Sequence, residues 1–401
     1  IVYRLSLLDL VPEGNRWDEI VAQARAVEAA GATIINSGIG WHEARLPTIA
    51  TLVPRAGFTW VTRRLRDEVN IPVVATNRIN TPGVAEDVLA AGDADMISMA
   101  RPLLADAEFV GKAEAGRADE INVCIACNQA CLDHAFVAKT ASCLVNPRAC
   151  HETELVIRPA PAKKNLAVVG AGPAGLAFAC NAAERGHAVT LFDAADRIGG
   201  QFNMAKRIPG KEEFHETLRY FARQLELKGV EVKLGTLASA DTLADFDEVV
   251  LATGVSPRTP AIEGIDHPSV VSYLDVLQKD VPIGRRVALI GAGGIGFDVA
   301  EFLGEADHDD PQPPRMEDFA RNWGIDLELS GRGGLEGAKP QPEPLAREIW
   351  LLQRKASKPG KGLGKTTGWI HRLSLRKRGV HMLAGVEYRR SDDAGLHIVH
   401  D

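Results

Sequence analysis

The sequence predicts an α/β protein in which half of a (β/α)8 barrel is followed by two Rossmann-like folds. Two observations support this prediction. Residues 1–118 alternate apolar strands and amphipathic helices four times, and two later segments each place a G-x-G-x-x-G pattern between a strand and a helix. Such alternation is typical of a parallel sheet covered by helices. We expect four units, at residues 1–118, 119–150, 151–280 and 281–401.

The composition is that of a globular chain with 401 residues, 45% hydrophobic residues and a net charge of −7. The acidic balance gives no reason to expect nucleic acid or an anionic membrane as a partner. The longest apolar run, residues 165–183, contains three glycines and a proline, which suits a strand, turn and helix better than a membrane span. We expect a cytoplasmic protein without a cleavable signal segment. The sequence leaves the oligomeric state open, a monomer included.

Polar loops follow the strands of residues 1–118 and favour a barrel over an open sheet. The loops "GIGWHEAR", "NRINTP" and "ARPLLAD" end successive strands, and barrels build their sites from loops at the strand C-termini. If this is the second half of a barrel, its last two loops are those that commonly hold a phosphate. They carry Arg78 and Arg101. The alternative role of these arginines is to pair with helix carboxylates.

Four of the six cysteines lie close together with the spacing C-x2-C-x3-C-x11-C. They are Cys124, Cys127, Cys131 and Cys143. Disulfide scaffolds are short and cysteine-dense, so sparse usage with one cluster favours a metal site. Zinc sites usually show two C-x2-C pairs, whereas iron-sulfur clusters accept four thiolates at several spacings. The spacing favours an iron-sulfur cluster, with structural zinc as the alternative. Cys150 and Cys180 lie outside the pattern, and we expect both to be small core residues.

After a proline-containing linker at residues 151–164, a new domain begins with a strand, a glycine-rich turn, a helix and a second strand. The glycines permit a tight turn and a close approach to a pyrophosphate at the helix N-terminus. Asp193 lies 23 residues after the first glycine and is expected to bind a ribose hydroxyl. A later strand, "DEVVLATG", ends in Thr253 and Gly254 and is expected to close over the nucleotide. The turn comprises Gly170, Gly172, Pro173, Ala174 and Gly175.

The glycine pattern occurs a second time at Gly291, Gly293 and Gly296. After a long polar insertion, the next strand "EIWLLQ" is followed by Arg354 and Lys355 where the first fold has an acid. Basic residues at this position suit a 2′-phosphate, so we expect this fold to bind NADPH and the first fold to bind FAD. The alternative is a solvated basic loop.

Together these motifs resemble the bacterial NADPH-dependent 2,4-dienoyl-CoA reductases, a branch of the Old Yellow Enzyme-like flavin:NAD(P)H oxidoreductases. The resemblance rests on "GIGWHEAR", "SMARP", "CIACNQACLD", "NLAVVGAGPAGLAFA", "IGGQFNMAKRIPGKEEF" and "LIGAGGIGFD". It implies the C-terminal half of an FMN-binding TIM barrel, a 4Fe-4S segment, an FAD domain and an NADPH domain. It also implies reduction of 2,4-dienoyl-CoA to enoyl-CoA in fatty acid β-oxidation, with electrons passing from NADPH through FAD and the cluster to FMN.

The resemblance assigns residues to each of these groups. The four clustered cysteines correspond to the cluster ligands, and His42 corresponds to the active-site histidine. Without the resemblance, His42 would be read as a histidine packed for structure beside Trp41. The FMN contacts correspond to Arg4, Arg78, Ala100 and Arg101. Further FAD contacts correspond to Gly200, Gln201, Thr253 and Gly254. The acyl-CoA pocket corresponds to Glu43, Ala44, Arg45 and Leu46.

The chain departs from this family in two places. The catalytic tyrosine of the family lies in the first half of the barrel, and the returning end of the FAD domain has no counterpart here. Because the chain begins and ends inside strand-like runs, we expect a fragment that lacks both ends and has little turnover by itself. The four tyrosines that do not match the catalytic motif are Tyr3, Tyr220, Tyr273 and Tyr388.

Three other functions stay open at this point. An enoate reductase or an amine dehydrogenase would use the same cofactors with a different substrate. An electron-transfer module resembling the small subunit of glutamate synthase would make no substrate contact, although the half barrel with its histidine-bearing loop argues against it. A non-catalytic protein would hold zinc and leave its nucleotide folds vacant.

Overall fold

The computed structural model describes residues 1–279, 281–306 and 314–400. Their strands form three separate parallel sheets and one antiparallel hairpin. Within this part of the chain, no helix combines the length and the apolar character that crossing a membrane requires.

The N-terminal module, residues 1–118, is a four-stranded parallel sheet with strands in sequence order. Helices follow the strands as the sequence predicts, because each has an apolar stripe that packs on the sheet. In the first helix this stripe is Ile20, Val21 and Ala24. The elements are β1 (Val2–Leu8), α1 (Trp17–Ala29), β2 (Ile34–Ile39), α2 (Thr59–Arg66), β3 (Val73–Ala75), α3 (Pro82–Ala90), β4 (Met96–Ile97), α4 (Arg101–Ala105) and α5 (Phe109–Glu114).

The last two helices of this module replace one longer helix that the apolar pattern suggests. Asp106 separates them, because its carboxylate accepts hydrogen bonds from the Glu108 amide at 3.0 Å and the Asn122 amide at 2.9 Å. The same carboxylate pairs with Lys112 at 2.7 Å. The side chain therefore turns the chain between the two helices and also holds the segment around Asn122.

The cysteine segment, residues 119–150, has little regular structure: the end of the 3-10 helix Ala118–Glu120 and one short helix, α6 (Leu132–Ala135). All six cysteines are free thiols. Cys180 is buried as predicted, at 6% exposure. The prediction that Cys150 is a core residue is wrong, because this residue is exposed. It lies in an irregular turn with a φ of 63° and donates its amide to Glu152.

The first dinucleotide module, residues 151–280, contains a parallel sheet in the order β7-β6-β5-β8. The predicted strand, turn and helix are present, because the apolar run breaks at its glycines. The strand expected at "DEVVLATG" is the edge strand β8. The elements are β5 (Asn165–Val169), α7 (Pro173–Glu184), β6 (Ala188–Phe192), α8 (Phe202–Ala205), α9 (Phe214–Leu227), β7 (Glu231–Lys233), α10 (Ala240–Leu243), β8 (Glu248–Leu251) and α11 (Tyr273–Gln278).

The second dinucleotide module, residues 281–401, contains the parallel sheet β11-β10-β9 and an antiparallel hairpin. The sheet repeats the strand, glycine turn and helix of the first module. The elements are β9 (Arg286–Ile290), α12 (Gly294–Gly304), α13 (Met316–Trp323), the 3-10 helix Arg332–Gly334, β10 (Glu348–Leu352), α14 (Gly368–Lys377), β11 (His381–Leu383), β12 (Glu387–Asp392) and β13 (Gly395–Val399).

The insertion before β10 packs on the N-terminal module, which its polar composition did not indicate. Phe319 and Trp323 of α13 belong to the same hydrophobic core as Phe58, and the Phe58 and Phe319 rings meet edge to face at 6.4 Å. The Leu10 amide donates to the Gly333 carbonyl at 2.9 Å. The described part of the insertion therefore belongs to the N-terminal module by packing, although it interrupts the second dinucleotide module in sequence.

Candidate functional site

The four clustered cysteines line one small cavity. Their side chains share this cavity with Arg101 and Leu144. Cys143, the fourth cysteine, lies beside the other three because the preceding Ser142 amide donates to the Ala130 carbonyl at 2.7 Å. Positive φ angles at Ala126 and Asn128 turn the chain tightly between the first three cysteines. The cavity wall contains Cys124, Cys127, Cys131 and Cys143.

Burial raises the pKa of the Cys127 thiol to about 12 and also raises the pKa of Cys131 and of Cys143. These groups stay protonated near neutral pH unless a cation stabilises their thiolates, which a bound metal does. Among the described residues, no three His, Cys, Asp or Glu side chains converge as a single ion requires. What the structure shows is four thiols that line one cavity.

The two glycine turns have the same steric design. A Cβ at Gly175 would lie 1.8 Å from the Gly170 carbonyl oxygen, and a Cβ at Gly296 would lie 1.9 Å from that of Gly291. The third glycine of each turn is therefore required for packing of the helix against the turn. Apart from its chain neighbours and its own helix, no atom of the described residues lies within 4 Å of a Cβ built at Gly172. The middle of the turn thus leaves room for a pyrophosphate at the N-terminus of the helix.

The other residues predicted for the first nucleotide surround its glycine turn. The Asp193 carboxylate accepts hydrogen bonds from the Ala171 amide at 2.6 Å and from the Ala195 amide at 2.8 Å. A Cβ at Gly200 would lie 3.0 Å from the Cα of Gly172. The Gln201 side chain donates to the Val255 carbonyl at 3.0 Å, which links its loop to the one that carries Thr253 and Gly254. Pro173 and Ala174 form the exposed first turn of α7.

The basic residues predicted to bind the 2′-phosphate of NADPH lie directly after β10. Arg354 and Lys355 are exposed, and neither forms an ion pair with a described residue. The turn that carries them is held by hydrogen bonds from the Gln353 side chain at 2.9 Å and the Gly385 amide at 3.1 Å to the Lys355 carbonyl. Both charges are therefore free to meet a phosphate or solvent.

The arginines predicted as FMN contacts have different environments. Arg78 is buried and contacts the Glu213 carboxylate of the first dinucleotide module at 2.6 Å. Arg101 donates to the Asn128 side chain at 2.6 Å and to the Ile49 carbonyl at 2.9 Å. Arg101 thus joins the cysteine segment to the loop after β2. Arg4 on β1 and Ala100 before α4 are exposed.

His42 lies in the loop after β2 and is exposed, so it is not packed for structure. Its neighbour Trp41 is the anchor of this loop, because the indole N–H donates to Asp9 Oδ1 at 2.7 Å. The other residues predicted for the acyl-CoA pocket continue this loop. Glu43 and Arg45 are exposed, whereas Ala44 and Leu46 are half-buried against the core of the N-terminal module.

Asp9 is a site residue that the sequence analysis missed. Its side chain is completely buried and also accepts hydrogen bonds from Ser6 Oγ at 2.7 Å and Asn15 Nδ2 at 2.9 Å. An acid immediately after the apolar strand "LSLL" was the available indication, because a carboxylate at a strand C-terminus points to the mouth of a barrel-like sheet.

We predict that Asp9→Asn loosens the His42 loop. In either orientation of the new amide, its NH2 group replaces an oxygen that now accepts hydrogen bonds. It would face either the indole N–H of Trp41 or the N–H groups of Asn15, and a buried hydrogen bond is lost. We expect a loss of about 1–3 kcal/mol in the free energy of unfolding and a red shift of tryptophan fluorescence. The matched control is Asp18→Asn, because Asp18 is exposed and forms its ion pair with exposed Arg16 at 3.3 Å. Equal stability and equal spectra for the two variants would contradict the anchoring role.

Two family models match the chain. The pyridine nucleotide-disulphide oxidoreductase model matches residues 164–397, and the NADH:flavin oxidoreductase / NADH oxidase model matches residues 1–120. A metal reductase of Desulforamulus reducens is 38% identical over 389 residues, which cover 96% of this chain and 57% of that protein. A cinnamate reductase of Clostridium sporogenes is 33% identical over 301 residues, which cover 73% of this chain and 43% of that protein.

The fold is similar to that of a solved structure, 2-naphthoyl-CoA reductase in complex with 2-naphthoyl-CoA. The TM-score is 0.86 at 30% sequence identity, and the match covers 99% of this chain and 55% of that chain. This chain therefore spans about half the length of the proteins that it matches.

Proposed function

Because the chain belongs to the flavin oxidoreductases related to Old Yellow Enzyme, with a pyridine nucleotide-disulphide oxidoreductase domain over residues 164–397, we propose that the full-length protein is an NADPH-dependent reductase of carbon–carbon double bonds. Its proposed substrate is a 2,4-dienoyl-CoA, which it reduces to enoyl-CoA in the β-oxidation of unsaturated fatty acids. Support for a CoA thioester comes from the similarity to 2-naphthoyl-CoA reductase.

The observation that carries this proposal is the cavity of four thiols beside Arg101. A reductase that used only one flavin and a nicotinamide would need no such cavity. When bound, two flavins would exchange hydride with NADPH and with the substrate, and a 4Fe-4S cluster would carry single electrons between them. The four cysteines would hold the cluster as thiolates, and their burial would keep water away from it.

The two glycine turns would bind the dinucleotides, FAD in the first module and NADPH in the second. In the first turn, the free amides at the start of α7 would donate to the pyrophosphate, while Asp193 would accept from a ribose hydroxyl. In the second, Arg354 and Lys355 would pair with the 2′-phosphate of NADPH. Their exposure and the absence of an ion pair with any described residue support this assignment.

The loops at the C-terminal ends of β1 to β4 would bind FMN and the acyl group. Arg4, Arg78, Ala100 and Arg101 would surround FMN, and residues 43–46 would line the acyl-CoA pocket. As negative charge develops on the thioester oxygen, a donor must stabilise it and an acid must protonate carbon. His42 would hold that proton on a ring nitrogen, and the Asp9–Trp41 hydrogen bond would keep its loop in place.

The proposal predicts that the anaerobically purified full-length protein consumes NADPH and dienoyl-CoA in equal amounts. Loss of the dienoyl-CoA absorbance would be followed with NADPH, with NADH and without either. The visible spectrum of the same sample should combine flavin peaks with a broad iron-sulfur shoulder. Faster turnover of a free enoate or a tertiary amine would overturn the choice of substrate, and a colourless protein that contains zinc would overturn the redox function.

A free unsaturated acid is the second candidate substrate, because one relative that is 33% identical is named cinnamate reductase. The two candidates differ at the thioester, so one comparison separates them. The ratio of kcat/KM for cinnamoyl-CoA to that for free cinnamate should exceed one if the CoA thioester is the natural class, and it should fall below one if the free acid is.

A further inference from the structure

One carboxylate of the first dinucleotide module is buried inside the N-terminal module. Glu213 precedes α9, and its side chain is only 4% exposed. Its carboxylate contacts Arg78 Nη2 at 2.6 Å. Arg55 donates from Nε at 2.8 Å and from Nη2 at 2.6 Å. Two arginines that follow different strands of one module therefore meet a single carboxylate from another.

The same carboxylate is connected to the cysteine cavity through one amide group. Asn80 Nδ2 donates to Glu213 Oε2 at 3.0 Å and to the carbonyl oxygen of Cys124 at 2.9 Å. Asn80 is 2% exposed, so water does not compete for these bonds. The first cysteine of the cavity is thus two hydrogen bonds away from the first dinucleotide module.

Helix α9 makes a second connection to the cysteine segment. Arg219, about 1.7 turns after Glu213, donates to the Ile121 carbonyl at 2.8 Å and to the Asp119 carbonyl. Both carbonyls lie just before the first cysteine. Arg219 therefore holds the start of the cysteine segment on α9, whereas the Glu213 connection reaches Cys124 itself through Asn80.

The charges around Glu213 keep its carboxyl group ionised. Burial opposes the ionised form of Glu213, but hydrogen bonds and charges from Arg55 and Arg78 outweigh burial and hold its pKa at about 2. The backbone at the arginine end is strained, since Asn77 and Arg78 have φ angles of 70° and 57°. Non-glycine residues keep such angles only where the surroundings enforce them, and the Arg78–Glu213 pair is one such constraint.

We propose that Glu213 is a positioning residue that fixes the cysteine cavity relative to Arg78 and to the FMN site of the N-terminal module. The proposal rests on the function proposed above, because Arg78 and Cys124 are assigned there to FMN and to the cluster. Glu213 itself touches neither group. It acts through Arg78 on one side and through Asn80 on the other.

The test compares Glu213→Gln with Glu226→Gln in the full-length holoprotein. Glutamine keeps the shape of the side chain and removes the charge. Glu226 is the matched control, because it is an exposed acid of α9 that pairs with Arg223 at 2.8 Å and, among the described residues, has no bond to Asn80, Arg55 or Arg78. We expect amide hydrogen exchange over residues 121–131 to accelerate about tenfold in Glu213→Gln and to stay unchanged in Glu226→Gln.

A second readout separates positioning from general destabilisation. In stopped-flow experiments, NADPH should reduce FAD at the same rate in both variants, whereas the following reduction of FMN should slow by about tenfold only in Glu213→Gln. A purely structural role would lower the melting temperature and leave this ratio of rates unchanged. That result, or equal exchange in the two variants, overturns the proposal.

If Glu213→Gln does not fold, Asn80→Ala tests the same connection, because it removes the bond to Cys124 and leaves the ion pairs intact. Accelerated exchange over residues 121–131 supports the proposal, and unchanged exchange overturns it. Failure of the proposed function has a different signature, namely a protein without FMN or iron. Hydrogen exchange still measures the connection between Glu213 and the cysteine segment in that case.

Discussion

Cys131→Ser is expected to remove iron from the full-length protein and to leave FAD bound. Cys131 lies directly before α6 and faces the cavity that the other three clustered cysteines line. A serine hydroxyl does not ionise near neutral pH, so it does not replace the thiolate that a metal requires. We expect iron and acid-labile sulfide to be lost together and NADPH-dependent turnover to fall by a factor of about 100 or more.

The matched control for this prediction is Cys150→Ser. Cys150 is exposed and lies outside the cavity, so iron content and turnover should match those of the unaltered protein. Metal analysis and the visible spectrum check both variants. Retention of iron by Cys131→Ser would contradict the assignment of this cysteine, and stoichiometric zinc in place of iron would contradict the cluster itself.

Gly175→Ala and Gly296→Ala are expected to abolish binding at two different nucleotide sites. In each turn, the new methyl group would lie within 2 Å of a carbonyl oxygen, at 1.8 Å in the first and 1.9 Å in the second. The helix must then move away from its turn, at a cost of about 3 kcal/mol. Gly175→Ala should purify without FAD. Gly296→Ala should retain FAD, but NADPH should no longer reduce it.

The control for these variants is Gly83→Ala. Gly83 lies in helix α3, and a Cβ built there meets no atom within 4 Å in the described part of the chain beyond its neighbours and its own helix. Alanine should leave both nucleotide sites intact and stabilise the helix by up to about 1 kcal/mol. Flavin content and rapid-reaction reduction by NADPH check all three variants. Normal FAD content in Gly175→Ala would contradict the steric argument.

The strands, helices and glycine turns could be predicted from the sequence because each depends on neighbours along the chain. The run after Asn165 breaks at Gly170 because the turn there needs a φ of +110°, and this requirement is visible as a glycine. The cysteine spacing is local in the same way. It predicted that four thiols would meet, and all four line one cavity.

The partner of Arg78, one of the arginines predicted to contact FMN, could not be predicted in this way. Arg78 meets Glu213 across 135 positions of sequence, and no periodicity connects a charged residue of one module with its partner in another. Asp9 and Trp41 present the same difficulty across 32 positions. In both cases nothing in the sequence around either residue indicates that the fold brings the two side chains together.

The insertion before β10 illustrates a different limit. Its composition is polar, yet Met316, Phe319, Ala320 and Trp323 form an apolar stripe along α13. The stripe was present in the sequence. Its partner, the core around Phe58, was not identifiable, because an amphipathic helix specifies that one face is buried and not against which module.

The sequence by itself determined the local structure of this protein: the order of strands and helices, two dinucleotide turns and a set of four thiols. Backbone geometry and side-chain periodicity act over a few residues and leave a readable pattern. Only the tertiary structure decided which modules share a core, that Asp9 anchors the His42 loop, and that Glu213 joins Arg78 to the cysteine segment. The two polar contacts pair buried groups that are far apart in sequence. Their free energy depends on burial and on hydrogen-bond geometry, and neither can be read from a short stretch of sequence.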